Sequence, residues 1–299
     1  MNVAGEGLPP GMDVVASRYA ELWRAVRLHE GVPRSQTDVQ FLLDQVRSAL
    51  DRHVSDLAGD DGCDLIANSF WDEGVVHAGD RVQMHRLRHR DLGTHHAMKT
   101  LVPDNAADVV SAGFILREAR IMQRLRHPAI VAADVLLRLS DGRPALVMEW
   151  MGGGSIANLL RSGGPIGATA LRRIVSGLLG GLAAIHEAGL VHADISPQNL
   201  LLTKGDDPAL KIADFGIALE ANESLASLGI RRGGTPGFDD ENRTANPERD
   251  LRAAGKIVAL MLERLASEGG SSALREIAAM LQEGKGITAR DALARLGAA

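Results

Sequence analysis

The segment HADISPQN, residues 192–199, holds an imidazole, a carboxylate and a carboxamide between two short apolar runs, GLV and LLL. On a tight loop, a carboxylate such as Asp194 accepts a hydroxyl proton. A carboxamide such as Asn199 binds a cation or ties down the loop backbone. The same residue types also make an Asx-rich turn that caps two strands. A second carboxylate, Asp214 in IADFG, stands at the end of an apolar stretch before Phe215 and Gly216, again suited to a cation or to a turn. Glu118 is placed differently. Ile115, Glu118, Met122 and Leu125 are spaced to share one helix face, so the glutamate lies on an apolar stripe. Buried without a partner, it would cost roughly several kcal/mol and would need a cation. The lysine in HAMKTLV, Lys99, is the candidate in a chain whose basic residues are mostly arginine. The alternative is a glutamate at the edge of the stripe that reaches solvent.

These residues need elements to hold them. Apolar positions at helical spacing predict helices over residues 13–29 and 37–57, joined by a turn at Gly31 and Pro33, and AGDDG at 58–62 marks a boundary. From about 64 to 102 the alternation is strand-like: RVQMHRLRHR, the turn DLGT, then HHAMKTLV. A helix ending in ILREARIMQRLRH follows, and AADVLLRL, SDGRP and ALVMEWM read as a hairpin. After GGGS the chain turns helical, with Leu171, Ile174, Val175, Leu178, Leu182 and Ile185 on one stripe and Gly189 as its stop. Tiny strands flank HADISPQN, ALKIADFG adds another, and two or three helices close the chain. The expected order is a small antiparallel sheet lobe with one helix, over 63–150, and a larger helical lobe, over 151–299. Residues 1–62 precede them as a helical extension.

The order Lys, Glu, HxDxxxxN, DFG resembles the signature of protein kinases, over about residues 64–299. LVMEWMGGGS resembles the linker between kinase lobes, GGTPGF the end of an activation segment, and ERDLRAAGKIVALML the helix whose aspartate, here Asp250, anchors the catalytic loop. The resemblance implies an α+β, bilobal fold that uses ATP and Mg²⁺. Lys99 would neutralise the α- and β-phosphates, positioned by Glu118. Asp214 and Asn199 would hold metal, and Asp194 would orient the substrate hydroxyl and take its proton. The adenine would lie against the backbone of Glu149 and Met151, between Val82, Ala97 and Leu201, with Met148 behind it. His192, Phe215 and Met122 match an internal stack that aligns the lobes.

The chain also departs from that pattern. EGVVHAGDRV carries Gly74 and Gly79 rather than three glycines in register before Val82, which weakens the expected backbone cradle for phosphate. Ser196 stands where many Ser/Thr kinases have lysine, and Ala193 replaces the usual arginine. Asn242 stands where a glutamate would, and Gly286 where its arginine partner would. Only 49 residues follow Asp250, so a substrate-docking helix is expected to be missing. Without an arginine at 193, no receptor for a phosphorylated segment is expected, and activity should not depend on Ser224, Ser227 or Thr235. Arg231 and Arg232 are the alternative receptor.

Composition bounds the rest. The net charge of −5 suggests no polyanion or nucleic-acid partner, one cysteine, Cys63, fits a reducing cytoplasm, and no apolar run was expected to approach the ~20 residues of a membrane span. The leading expectation is a bacterial-type kinase of Ser/Thr hydroxyls on a protein partner. A pseudokinase scaffold and a small-molecule kinase are the alternatives. The N-terminal helices are expected to form a structural cap rather than a regulatory element.

Overall fold

The alternating pattern of residues 64–102 folds into strands of one six-stranded antiparallel sheet. These are β3 (Leu65–Ile66), β4 (Phe70–Ala78), β5 (Val82–His89), β6 (His95–Leu101), β7 (Ala133–Arg138) and β8 (Pro144–Glu149), in the order β3-β4-β5-β6-β8-β7. The computed structural model describes residues 12–36, 38–39, 42–43, 46, 65–66, 69–220, 223–230, 234–238, 244–266, 271–284 and 286–298. Register fixes the faces. Met84 is opposite Lys99 and Ala97 is opposite Met148, so these side chains point one way. Leu87, Met98, Ala145 and Val147 form a separate cluster on the other face.

A helix, α2 (Val109–Arg124), crosses the lysine-bearing face. Asp108 caps it by accepting from the Val110 and Ser111 N–H groups. Its apolar stripe buries Ile115, Ala119 and Met122 with Leu101, Leu146 and Met148 of the sheet. Glu118 is carried into the same interior, 2% exposed.

The helical lobe begins with α3 (Ile156–Ser162), opened by a reciprocal capping box between Ser155 and Asn158. In α4 (Ala168–Glu187) all six stripe residues expected from the sequence are buried. Gly189, at φ +74°, turns the chain in the left-handed region just past its end. Contrary to expectation, α4 is long and apolar enough to cross a membrane by length and composition, although its apolar stripe packs inside this lobe. Next come α5 (Pro247–Leu262), α6 (Ser272–Glu283) and α7 (Ala289–Ala298), the three closing helices among the described residues.

Two minimal ladders set the site. β9 (Leu190–Val191) pairs with β12 (Leu219–Glu220), and β10 (Leu200–Leu202) with β11 (Leu210–Ile212). Residues 192–199 and 213–218 are therefore bracketed by the same two ladders. The strands flanking the loop do not pair with each other; each clamps it to the segment that carries Asp214.

Residues 1–62 form one compact unit and 63–299 another. In the first, α1 (Met12–Arg27) stops two residues before the expected position 29. Glu30 and Gly31 both adopt positive φ, which folds β1 (Leu28–His29) back onto β2 (Val32–Pro33) in a two-residue hairpin. Described residues within 36–46 are helical, while most of the second expected helix lies outside the described residues.

Candidate active site

Strand β6 aims Lys99 at two carboxylates. Its Nζ lies 2.7 Å from Glu118 Oε2 and 2.9 Å from Asp214 Oδ1. The opposite Glu118 oxygen accepts from the Phe215 N–H at 3.1 Å, so one glutamate ties strand, helix and Asp214 segment together. Burial works against the Lys99 ammonium, but Asp214 and Glu118 outweigh it and hold the pKa above the ordinary lysine value. The Lys99 charge depresses the Asp214 carboxyl to about 2. Burial pushes the Glu118 carboxyl up, opposed by Lys99. The solvent-reaching alternative for Glu118 is thereby excluded.

Asp250, on α5 and 1% exposed, holds the loop from beneath. It accepts from the backbone N–H of His192 at 2.8 Å and of Ala193 at 2.9 Å, and pairs with His186 Nε2 at 3.1 Å. Burial raises its carboxyl, but these partners more than compensate and its pKa is lowered. Ala193 adopts φ +67°, which costs a side-chain-bearing residue about 1 kcal/mol. Asp250 on its N–H, and Arg249 donating to its carbonyl at 3.0 Å, hold that conformation. Asn199 Nδ2 donates to both the backbone and the side chain of Asp194, at 2.9 Å each, and fixes the carboxylate. The Asn199 carbonyl accepts from Ala213 N–H at 2.9 Å, which sets Asn199 beside the Asp214 segment. His192 packs edge-on against Phe215 with centroids 4.8 Å apart; both rings are fully buried, and Met122 lies in the same core.

The expected nucleotide walls share a sheet face. Val82, opposite Leu101, and Ala97, opposite Met148, line it, and Leu201 of β10 contributes from the helical lobe. Met148 ends the buried run of β8, and Met151 is buried just beyond. The Glu149 side chain points at Lys211, 2.7 and 2.9 Å from its Nζ, and accepts from Ala132 N–H.

Sequence reasoning missed the contacts of five residues. Thr235 was read only as a possible modification site. Its N–H and hydroxyl each donate to Asp194 Oδ1 at 2.8 Å, placing the end of that segment on the loop carboxylate. Arg117 binds Glu223 and the Ala218 carbonyl, and Arg124 binds Glu220 at 2.8 Å, so α2 grips the chain following Gly216. His186 and Arg249 support the loop. They come from four stretches of the chain, and Thr235, inside GGTPGF, stood in a segment already singled out. Arg231, Arg232 and Asn242 lie outside the described residues.

Residues 73–264 match the protein kinase domain family. The chain belongs to the protein kinase family. Over 162 residues it is 39% identical to the serine/threonine-protein kinase PknL of Mycobacterium tuberculosis, a stretch that is 52% of this chain and 40% of that one. It is 30% identical over 240 residues to the serine/threonine-protein kinase PknK of Mycobacterium bovis (78% of this chain, 21% of the relative) and 31% over 185 residues to pkn2 of Myxococcus xanthus (60% and 21%). The chain thus spans two-fifths or less of the length of these kinases. The kinase fold, with its small antiparallel sheet lobe and its helical lobe, is the one the sequence implied.

Proposed function

We propose that this kinase transfers a phosphoryl group from ATP to Ser or Thr hydroxyls of a protein partner, as a Mg²⁺-dependent enzyme in a reducing cytoplasm. Family membership brings ATP and a divalent cation in general terms. The observation that carries the finer reading is the convergence of five groups. Lys99, Glu118 and Asp214 meet at hydrogen-bond distance, and Asp194 and Asn199 sit on the loop clamped to the Asp214 segment.

The residues fit the nucleotide and metal they would hold. Asp214 binds Lys99 through Oδ1, and Asn199 uses its amide nitrogen on Asp194. That leaves Asp214 Oδ2 and Asn199 Oδ1, both hard oxygen donors, for a hard cation. A bound Mg²⁺ would neutralise phosphate charge. Lys99 adds a fixed positive charge at the phosphates, and Glu118 keeps it aimed there. Asp194, immobilised by Asn199, accepts the hydroxyl proton of the substrate. Thr235 occupies the acceptor oxygen that a substrate hydroxyl would approach, so its side chain orients Asp194 and borders the entry to it. Preorganised charge, not covalent chemistry by the protein, supplies the rate.

One observation favours the alternative of a nucleotide-binding scaffold. The β4–β5 turn keeps Gly79 N–H on Val82 O at 2.9 Å, and no in-register glycines stand at the tip. Incubating the full chain with γ-labelled ATP, Mg²⁺ and a Ser/Thr-rich protein separates the two readings. A kinase labels the protein, and Asp194→Ala lowers labelling by about 10³-fold. Equal labelling by both forms, or none by either, would refute the enzyme reading.

A further inference from the structure

Strand β4 is irregular where the phosphate-binding hairpin is built. Register shifts fall between Asp72 and Val75 and between Val75 and His77. Asp72 pairs with Leu87 and Val75 with His85, on the sheet face away from Lys99. Strict alternation from Val75 would put residue 77 on that same outer face. The second irregularity inserts one residue and turns it over, as bulges do. His77 then stands opposite Met84, and Met84 opposite Lys99. The three form one cross-strand row on the inner face, with exposed His77 two strands, about 10 Å, from the lysine strand.

The backbone near this row is already committed. Gly79 N–H closes the turn on Val82 O, and Val102 N–H holds Arg81 O. Asn105 Nδ2 holds Asp80 O at 3.1 Å, and the Arg81 guanidinium leans towards Asp108 at 3.7 Å. Gly74, at φ +106°, serves the first irregularity, where its N–H bonds its neighbour Asp72. The hairpin tip is thus pinned without the flexible glycine run that would let its N–H groups wrap a phosphate. An imidazole on the inner face carries an N–H donor in either tautomer.

We propose that His77 is a phosphate-binding residue. Its ring N–H donates to the polyphosphate of a nucleotide seated at Lys99, adding a donor on the inner face of a hairpin whose Gly79 N–H is held within the turn. The inference rests on the nucleotide-binding reading above. The second register shift gives it a physical purpose, because without that shift residue 77 would face away from the lysine.

The test uses the full chain, Mg²⁺ and titration calorimetry with ATP and with adenosine. His77→Ala and His77→Gly should each weaken ATP binding by about tenfold, the scale of one charge-assisted hydrogen bond. His77→Gln, which keeps a donor, should recover much of the loss. Adenosine affinity should stay within about twofold in all three variants, since it has no phosphate. Unchanged or tighter ATP binding in His77→Ala or His77→Gly would overturn the assignment, the imidazole then being filler or obstruction. An equal loss of adenosine binding would overturn it as well, by showing a structural effect. An unsubstituted chain that binds adenosine but not ATP would contradict it directly. Binding of neither ligand would remove the nucleotide reading itself, and this inference with it.

Discussion

The Asp194 loop and the β4–β5 hairpin both border the same candidate site, yet they are built in opposite ways. The loop is buried and cross-tied. Asp250 holds two of its N–H groups, Asn199 fixes Asp194, and two short ladders clamp its ends to the Asp214 segment. The hairpin is exposed from Glu73 to Arg81 and is shaped by register shifts and surface contacts. Its sequence departs from the family's glycine pattern, while the loop, though it departs at Ala193 and Ser196, keeps its aspartate and asparagine. A buried polar network is costly to leave half-satisfied, so each member constrains the others. An exposed hairpin has water as a fallback partner, so glycines can be replaced there without an orphaned buried group.

That contrast predicts where substitution hurts. The largest effect should follow Lys99→Met, which removes the charge shared by Glu118 and Asp214. Turnover in the labelled-ATP assay should fall by about 10²-fold or more. Near-normal turnover would place the phosphate anchor elsewhere. Asp250→Ala comes next, leaving two buried N–H groups without an acceptor. Chemical denaturation should show a loss of roughly 3–5 kcal/mol, as for other broken buried pairs. A loss under about 1 kcal/mol would mean that the loop holds its shape without this anchor.

Arg117→Ala tests the grip of α2 on the segment after Gly216. With Glu223 and the Ala218 carbonyl released, Glu118 is less firmly placed and turnover should drop by about tenfold. Ser224→Ala with Ser227→Ala should leave turnover within about twofold, before and after phosphatase treatment. Among the described residues those hydroxyls bond each other's backbone, whereas carboxylates already dock the segment on arginines. A tenfold loss in both would restore a phosphate switch. Thr235 does not belong in that test, because its hydroxyl sits on Asp194.

The smallest effect concerns acid stability. The Asp250 carboxyl is lowered from 3.8 in the fold, so its stabilisation is full above 3.8 and is lost as pH falls through the lower folded value. Below about pH 4, Asp250→Asn should flatten the fall of unfolding free energy measured by denaturation. Glu73 of the hairpin is also lowered, by Arg88, Arg86 and His95 against burial, but it is exposed and salt screens it. Glu73→Gln should barely change the slope. Equal changes in both variants would erase the distinction between loop and hairpin.

Much of this protein was legible in one dimension. Strand alternation, the α4 stripe and the punctuation by Gly31 and Gly189 are local properties, because side-chain direction repeats with a period set by the backbone itself. The spacing from Asp194 to Asn199 likewise fixes a contact within one loop. Lys99 and Glu118, nineteen residues apart, were joined by an energetic argument, since a buried carboxylate demands a cation. What the sequence could not settle were contacts between distant stretches whose partners are ordinary residues. Thr235 reaches Asp194 across 41 positions and Arg117 reaches Glu223 across 106, whereas the Asp250 contact with the loop, across 58, was expected only through the family resemblance. No periodicity links such positions. The side of the sheet on which His77 stands belongs to the same class. Each register shift reverses the alternation, and a shift exists only in the pairing of β4 with β5. The chain alone determined which groups were available and which local elements carried them; folding decided which face they shared and which of them met, because those outcomes depend on register and packing between segments.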